Sequence, residues 1–261
     1  MNKYLILIVI LVIGAGGFFI WQSQSVQKPA ETKSPINQQT NTSTQSATTQ
    51  FSNPKKSAHY ESNTPSHGAT LAGVPINVVI DFNFDLAENS RIEIHYFGSI
   101  PKIGPNDLGA GETIIDKNKL SMRRNMDPTS PDGRYSVVYK ACWPDGSCHD
   151  GSFEFAINRE LAKNFTDETK SSEVTVKLSQ IQFQPQNIRI KKGTKVTWVN
   201  GDSIEHYINT DSHPAHTYFL NQNSRALQKG DTYSVTFDTA GIYPYHCSAH
   251  ADSMTGNILV E

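Results

Sequence analysis

The segment Tyr243-Pro-Tyr-His-Cys-Ser-Ala-His-Ala-Asp-Ser-Met254 constrains this chain more than any other. Its C-x2-H-x3-M spacing gathers a thiolate, an imidazole and a thioether on one loop, just before a last strand-like run, Gly256–Val260. One short loop cannot surround a metal ion, so the fold must deliver a further donor from a distant strand. His206 is the best placed candidate, because it follows Val196-Thr-Trp-Val-Asn-Gly-Asp202, which reads as a strand ending in a turn. Soft sulfur suits Cu(I) and imidazole nitrogen accepts Cu(II), so two histidines, a cysteine and a weak axial methionine serve both oxidation states of copper. Each of these residues alone reads as well as a small buried hydrophobe or a solvated surface group. Their joint spacing favours the metal.

The rest of the chain reads as all-β. Short runs of β-type composition at Val74–Phe82, Arg91–Phe97, Arg134–Lys140 and Ser152–Ile157 are separated by Gly, Pro, Asn and Asp turns. A polar stretch, Arg159–Ser172, marks a linker in which Glu160–Phe165 has the makings of a helical turn. Strands resume at Glu173–Leu178, Asn187–Ile190, Lys195–Val199, Thr232–Phe237, Gly241–His246 and Gly256–Val260, spaced as in a β-sandwich. The 261 residues thus divide into two sandwich domains, 57–158 and 173–261, behind a segment that belongs to neither core.

That leading segment has two parts. Tyr4–Trp21 is uncharged and almost wholly apolar, the pattern of a membrane anchor or a signal helix. An uncleaved anchor is the favoured reading, because apolar residues continue past the small-residue cluster Gly14-Ala-Gly-Gly17. Lys3 on its short side places the bulk of the chain outside the cytoplasm, on the periplasmic or cell-surface side. Residues 22–56 are rich in Gln, Ser, Thr, Asn, Lys and Pro, too polar to bury a core, and read as a disordered tether. A formal net charge of −2 without basic runs excludes the electrostatic stripe of a nucleic-acid binder.

Phe183-x-Pro185, Lys192-Gly193-Thr194, Trp198-Val-Asn200-x-Asp202, His206, Gly241-x-Tyr243-x-Tyr245-His-Cys247 and Met254-x-Gly256 together resemble the plastocyanin and amicyanin branch of the cupredoxins. The resemblance covers nearly all of Glu173–Glu261 and implies a Greek-key sandwich. It also implies a type 1, blue copper site held by His206, Cys247, His250 and Met254, with His250 on the exposed loop as the electron entry or exit edge. One departure stands out. Three residues separate His250 from Met254, where amicyanin-like loops have two and plastocyanin-like loops four. Asn200 is a candidate for tying the His206 and Cys247 loops together. His213, His216 and His246 lie outside the motif. The first two form His-x2-His, which reads as a second metal site, as a solvated pair or as part of a docking surface.

In the first domain, His59-Tyr, Ser62, Pro65, Gly68, Asp81-Phe82, Asp132-Gly-x-Tyr135, Asp145-Gly146 and Gly151-x-Phe153-x-Phe155 resemble the CopC-like copper-resistance domain over His59–Asn158, which implies an Ig-like sandwich. That family holds Cu(II) with an N-terminal histidine and an Asp-Gly-His motif. Here His59 and Asp145 match, Ser147 stands at the motif's histidine, and His149 shares a strand face with it in extended backbone. The implied Cu(II) site is therefore His59, Asp145 and His149, against a reading in which the domain has lost its metal and serves docking or spacing.

A copper thiolate leaves Cys142 and Cys148, which flank the turn at Trp143-Pro-Asp-Gly and should pair as a disulfide outside the cytoplasm. The expected function is one-electron transfer to and from a redox partner protein, not enzymatic turnover. A multicopper oxidase needs His-x-His pairs for its trinuclear cluster, and none occur. The rival expectation is copper handling at the cell envelope, meaning capture, storage or delivery.

Overall fold

Alternation of apolar and polar residues with period two becomes strands whose inward faces fill two cores. The computed structural model describes residues 50–97 and 107–261. The apolar run Tyr4–Trp21 and most of the polar tract lie outside them. Among the described residues, no helix is long and apolar enough to cross a membrane.

The first half holds two four-stranded sheets. One runs Tyr60–Thr64, Asn77–Phe82, Ser121–Met126, Gly109–Ile115 in spatial order, and the other runs Thr70–Leu71, Cys148–Ile157, Gly133–Cys142, Arg91–Phe97. Between them lie Val78, Ile80, Phe82, Ile92, Ile94, Tyr135, Val137, Phe153 and Phe155. Four of these strands, Tyr60–Thr64, Thr70–Leu71, Gly109–Ile115 and Ser121–Met126, lie outside the expected runs, and the last two are the longest of them. Their glycines, arginines and asparagine carry little β signal, and pairing with buried neighbours supplies what propensity does not.

The second half is a sandwich of Phe183–Gln184, Glu173–Leu178, Thr194–Asn200, Thr232–Phe237 against Asn209–Thr210, Gly241–His246, Thr255–Val260, Asn187–Ile190, Thr166–Asp167. Trp198, Phe237, Tyr243 and Tyr245 anchor its core. The alternation of Glu173–Leu178, with Val174, Val176 and Leu178 buried and the residues between exposed, is the pattern that one-sided burial demands.

The described residues of both polar stretches are built into the fold. The end of the polar tract is docked: Lys55 exchanges two 2.8 Å backbone hydrogen bonds with Ser152, and the Ser52 amide donates to Glu154. Arg159–Asn164 is a 3-10 segment capped by Asn158, and Thr166–Asp167 adds a strand beside Ile188 and Arg189. Leu161, Ala162 and Phe165 then pack on a small cluster of Ala72, Ile242 and Leu259 that draws on both halves.

The strand Asn77–Phe82 is buried along its whole length. Val78, Ile80 and Phe82 face their own core, while Val79, on the opposite face, belongs to the core of the second half. Burying one such valine contributes about 1.5–3 kcal/mol. Beside it, Asp81 is covered to 1 % exposure and accepts hydrogen bonds from four hydroxyls. Ser62 (2.8 Å) and Ser121 (2.8 Å) come from the first half, and Ser212 (2.6 Å) and Thr217 (2.7 Å) from the second. The Tyr218 hydroxyl also crosses the junction, accepting from the Ile76 amide at 2.9 Å and donating to the Ile242 carbonyl at 2.7 Å. The two sandwiches are thereby joined through a polar and apolar seam rather than by a tether alone.

Candidate metal centre

Antiparallel pairing of Gly241–His246 with Thr255–Val260 brings Cys247 and Met254 to the same end of one sheet. The loop between them is closed by its own backbone. The Cys247 amide donates to the Met254 carbonyl (2.9 Å), the His250 amide to the Cys247 carbonyl (2.8 Å) and the Met254 amide to the His250 carbonyl (2.8 Å). Ser248–His250 makes a 3-10 turn that holds the histidine near the surface, while Cys247 and Met254 are buried. Gly256 lets the loop seat closely: a Cβ there would lie 2.6 Å from the Tyr245 ring and 2.7 Å from the Gln186 carbonyl oxygen.

His206 arrives from the other sheet by way of the turn after Thr194–Asn200. Its backbone exchanges hydrogen bonds with Leu227, its side chain is fully buried, and its Nε2 lies 3.0 Å from the Asp202 carboxylate. A carboxylate can only accept, so it fixes the proton on Nε2 and leaves Nδ1 as the free donor atom, the arrangement that orients metal-binding imidazoles. Asp202 is itself set by the amides of Gln180 and Ile181. Its carboxyl is held below the ordinary range, chiefly by the Ile181 amide.

Nδ1 of His206 lies 3.5 Å from Cys247 Sγ and Nδ1 of His250 lies 3.7 Å from it, with the three atoms mutually within 4.8 Å. An ion about 2.0–2.1 Å from nitrogen and about 2.3 Å from sulfur, with angles of about 110–120°, spaces nitrogen and sulfur by about 3.5–3.7 Å. The residues therefore fit a trigonal metal set. The buried thiol also accepts the Tyr207 amide at 3.3 Å, a contact that tunes a copper thiolate through its sulfur charge. Asn200 does not tie the two ligand loops together as expected. Its Nδ2 donates to the Ile204 and Leu227 carbonyls, both at 2.8 Å, and its Oδ1 accepts the Asp202 amide, so it braces only the His206 side. The link to Cys247 is the Tyr207 amide, a backbone group that no residue pattern announces.

The first half does not assemble the expected set of His59, Asp145 and His149, whose donor atoms form no compact group in the structure. The His59 ring meets Trp143 edge-on at 5.2 Å and stacks on Phe84 at 4.8 Å, while the His149 ring lies 6.5 Å from Trp143. Asp145, exposed on the hairpin turn, accepts the hydroxyl and amide of Ser147, which hold its carboxyl below the ordinary range. Cys142 and Cys148 face each other across that hairpin and form a disulfide, and Cys247 is free.

The other three-donor group among the described residues is His213, His216 and His246. The His-x2-His spacing hinted at two of its members. His246 joins them only because Asn209–Thr210 pairs with Tyr245–His246 and brings the 211–217 loop back over the strand. Burial, reinforced by its two histidine neighbours, pushes His216 down to about 4.

Residues 170–261 match the family of copper binding proteins described as plastocyanin/azurin, and residues 60–158 match the CopC domain. Amicyanin-alpha of Methylorubrum extorquens is 33% identical over 94 residues, spanning 36% of this chain and 76% of that protein. Plastocyanin of Scenedesmus fuscus is 38% identical over 98 residues, 34% of this chain and 100% of that protein. Halocyanin of Natronomonas pharaonis is 36% identical over 104 residues, 38% of this chain and 62% of that protein.

Proposed function

Because the chain belongs, through its C-terminal domain, to the plastocyanin/azurin family of copper-binding proteins, we propose that it is an electron carrier of the cell envelope. The observation that carries this reading is the convergence of His206, Cys247 and His250 at trigonal spacing around a buried sulfur. Copper bound there supplies a one-electron couple between Cu(I) and Cu(II). Met254 is assigned as the weak axial donor, which its place on the closed ligand loop supports. The protein's part is to hold the donors still, so that little rearranges when an electron arrives or leaves. Asp202, Leu227 and the Tyr207 amide fix the buried side of the set. His250, half-buried at the loop, is the edge offered to a redox partner protein. Tyr4–Trp21 is assigned as a single-pass anchor with both sandwiches outside the cytoplasm, a reading that rests on hydropathy alone.

The test is the visible spectrum of the copper-loaded chain. An intense thiolate-to-Cu(II) charge-transfer band, lost in Cys247→Ser, is expected. A colourless copper complex with no reversible redox couple would refute electron transfer.

A copper-handling role is the second reading, favoured by the CopC-type first half. Rapid transfer of copper from the loaded chain to an acceptor chelator, on the timescale of mixing, would favour handling. Retention of copper with fast electron exchange favours the carrier.

A further inference from the structure

His246 and Cys247 are neighbours in sequence, and in extended backbone neighbouring side chains point to opposite sides. Cys247 enters the centre described above, whereas His246, 2 % exposed, enters a second cluster with His216 and the exposed His213. Ring centroids in this cluster are 5.1 to 5.4 Å apart, and one nitrogen from each ring lies within 4.8 Å of the others. Nε2 of His216 is 3.2 Å from Nε2 of His246. Two imidazole nitrogens about 2.0–2.1 Å from one tetrahedral ion would stand about 3.3 Å apart.

The hydrogen-bond geometry orients the cluster. Nδ1 of His246 lies 2.9 Å from the Asp211 carboxylate, which only accepts, so Nδ1 donates there and the ring is held with Nε2 facing His216. This repeats the carboxylate-to-imidazole pairing that Asp202 makes with His206 in the first centre. The loop is also pre-set. Ser212 and Thr217, which bracket His213 and His216, are both pinned to the buried Asp81 of the other sandwich, and the His216 carbonyl accepts from Asn223. His213 and His246 line a groove of about 570 Å³ whose wall includes Tyr60, Ser62 and His67 of the first half, so the cluster borders a cavity between the sandwiches.

We propose that His213, His216 and His246 form a second metal site, built at the junction of the two sandwiches, that takes a borderline divalent transition-metal ion, Cu(II) ahead of Zn(II). Three imidazoles suit both ions, and the general order of divalent affinities places Cu(II) first. One peptide bond joins His246 of this site to Cys247 of the first centre. Its existence does not depend on the electron-transfer reading.

The experiment uses the full chain, stripped of metal and dialysed against CuCl2 or ZnCl2, with metal counted per chain and Cu(II) read by electron paramagnetic resonance. Two coppers per chain are expected, the second adding a resonance without an intense visible band. His213→Ala combined with His216→Asn should weaken the second copper by at least about 100-fold. It should leave any visible band and the thermal midpoint of the apo chain unchanged. Asparagine suits position 216, where φ is +52°. Asp211→Asn should weaken it about 10- to 100-fold through the orientation of His246. Cys247→Ser should keep the second copper while losing the first, which separates failure of this proposal from failure of the carrier reading. A single copper in the wild-type chain, or a second copper whose affinity the histidine substitutions leave unchanged, would overturn it. Zn(II) displacing Cu(II) from the second site at equal concentration would overturn the assignment to copper.

Discussion

Replacing Asp81 with alanine should uncouple the two sandwiches, and the size of the effect follows from its surroundings. Four hydroxyls donate to one buried carboxylate, two from each half. Hydrogen bonds to charged groups contribute about 1.5–3 kcal/mol each when measured one at a time. The sum overstates the loss, because the carboxylate also gives up hydration on burial, and Ser62 and Ser212 already touch each other at 2.8 Å and can bond without it. A net cost of about 2–5 kcal/mol remains. For a folded region of this size, each kcal/mol moves the melting temperature by about 2–4 °C, so a drop of roughly 6–12 °C is expected for a cost near ~3 kcal/mol. The sharper measurement is a double-mutant cycle of Asp81→Ala with Ser212→Ala in urea. It isolates a contact that crosses between the halves, with an expected coupling of about 1.5–3 kcal/mol. Asp81→Asn keeps the volume and one acceptor oxygen and should cost less than alanine. A coupling below about 0.5 kcal/mol, the usual scatter for independent sites, would refute the seam as a source of stability.

Gly256→Ala should destabilise the C-terminal sandwich by about 1–3 kcal/mol through overpacking, since the new methyl meets the Tyr245 ring and the Gln186 carbonyl. Chemical denaturation checks it, and a variant as stable as wild type would mean that the ring moves freely. Removing the disulfide by Cys142→Ala with Cys148→Ala should cost about 2–3 kcal/mol for so small a loop, with the copper spectrum unchanged because Cys247 is the remaining thiol. Asp107 gives a pH signature. Burial would raise its carboxyl, but the Ile94 and Gly109 amides and Arg124 outweigh burial and lower it in the fold. Its stabilising effect is therefore present above the ordinary carboxylate range and lost as pH falls through the lowered value. Asp107→Asn should be less stable than wild type near neutrality and approach it in acid. A gap between them that holds constant to low pH would contradict this.

The local sequence determined a good deal. β-type composition between turn residues marked Glu173–Leu178, Arg91–Phe97 and Thr232–Phe237 to the residue, because both signals are local to each strand. Cys247 and His250 were legible as neighbours because they share one loop, where chemistry depends on spacing alone. His206, 41 residues away from the cysteine, was legible because it follows the turn that ends a recognisable strand. What the chain did not disclose is whatever depends on two distant segments meeting. Alternation in Asn77–Phe82 gave an inward face but not that the outward face is buried as well, with Val79 in the other core and Asp81 bonded to residues more than 130 positions away. The spacing of His59, Asp145 and His149 was compatible with a site, yet their donor atoms form no compact group, with His59 packed on Phe84 and Trp143 and Asp145 bonded to Ser147. Conversely, His246 looked like a bystander of the cysteine until strand pairing folded His213 and His216 over it. Residue type and short-range spacing fix which donors exist, whereas packing of non-adjacent strands fixes which donors share a point in space, and only the second can hold an ion.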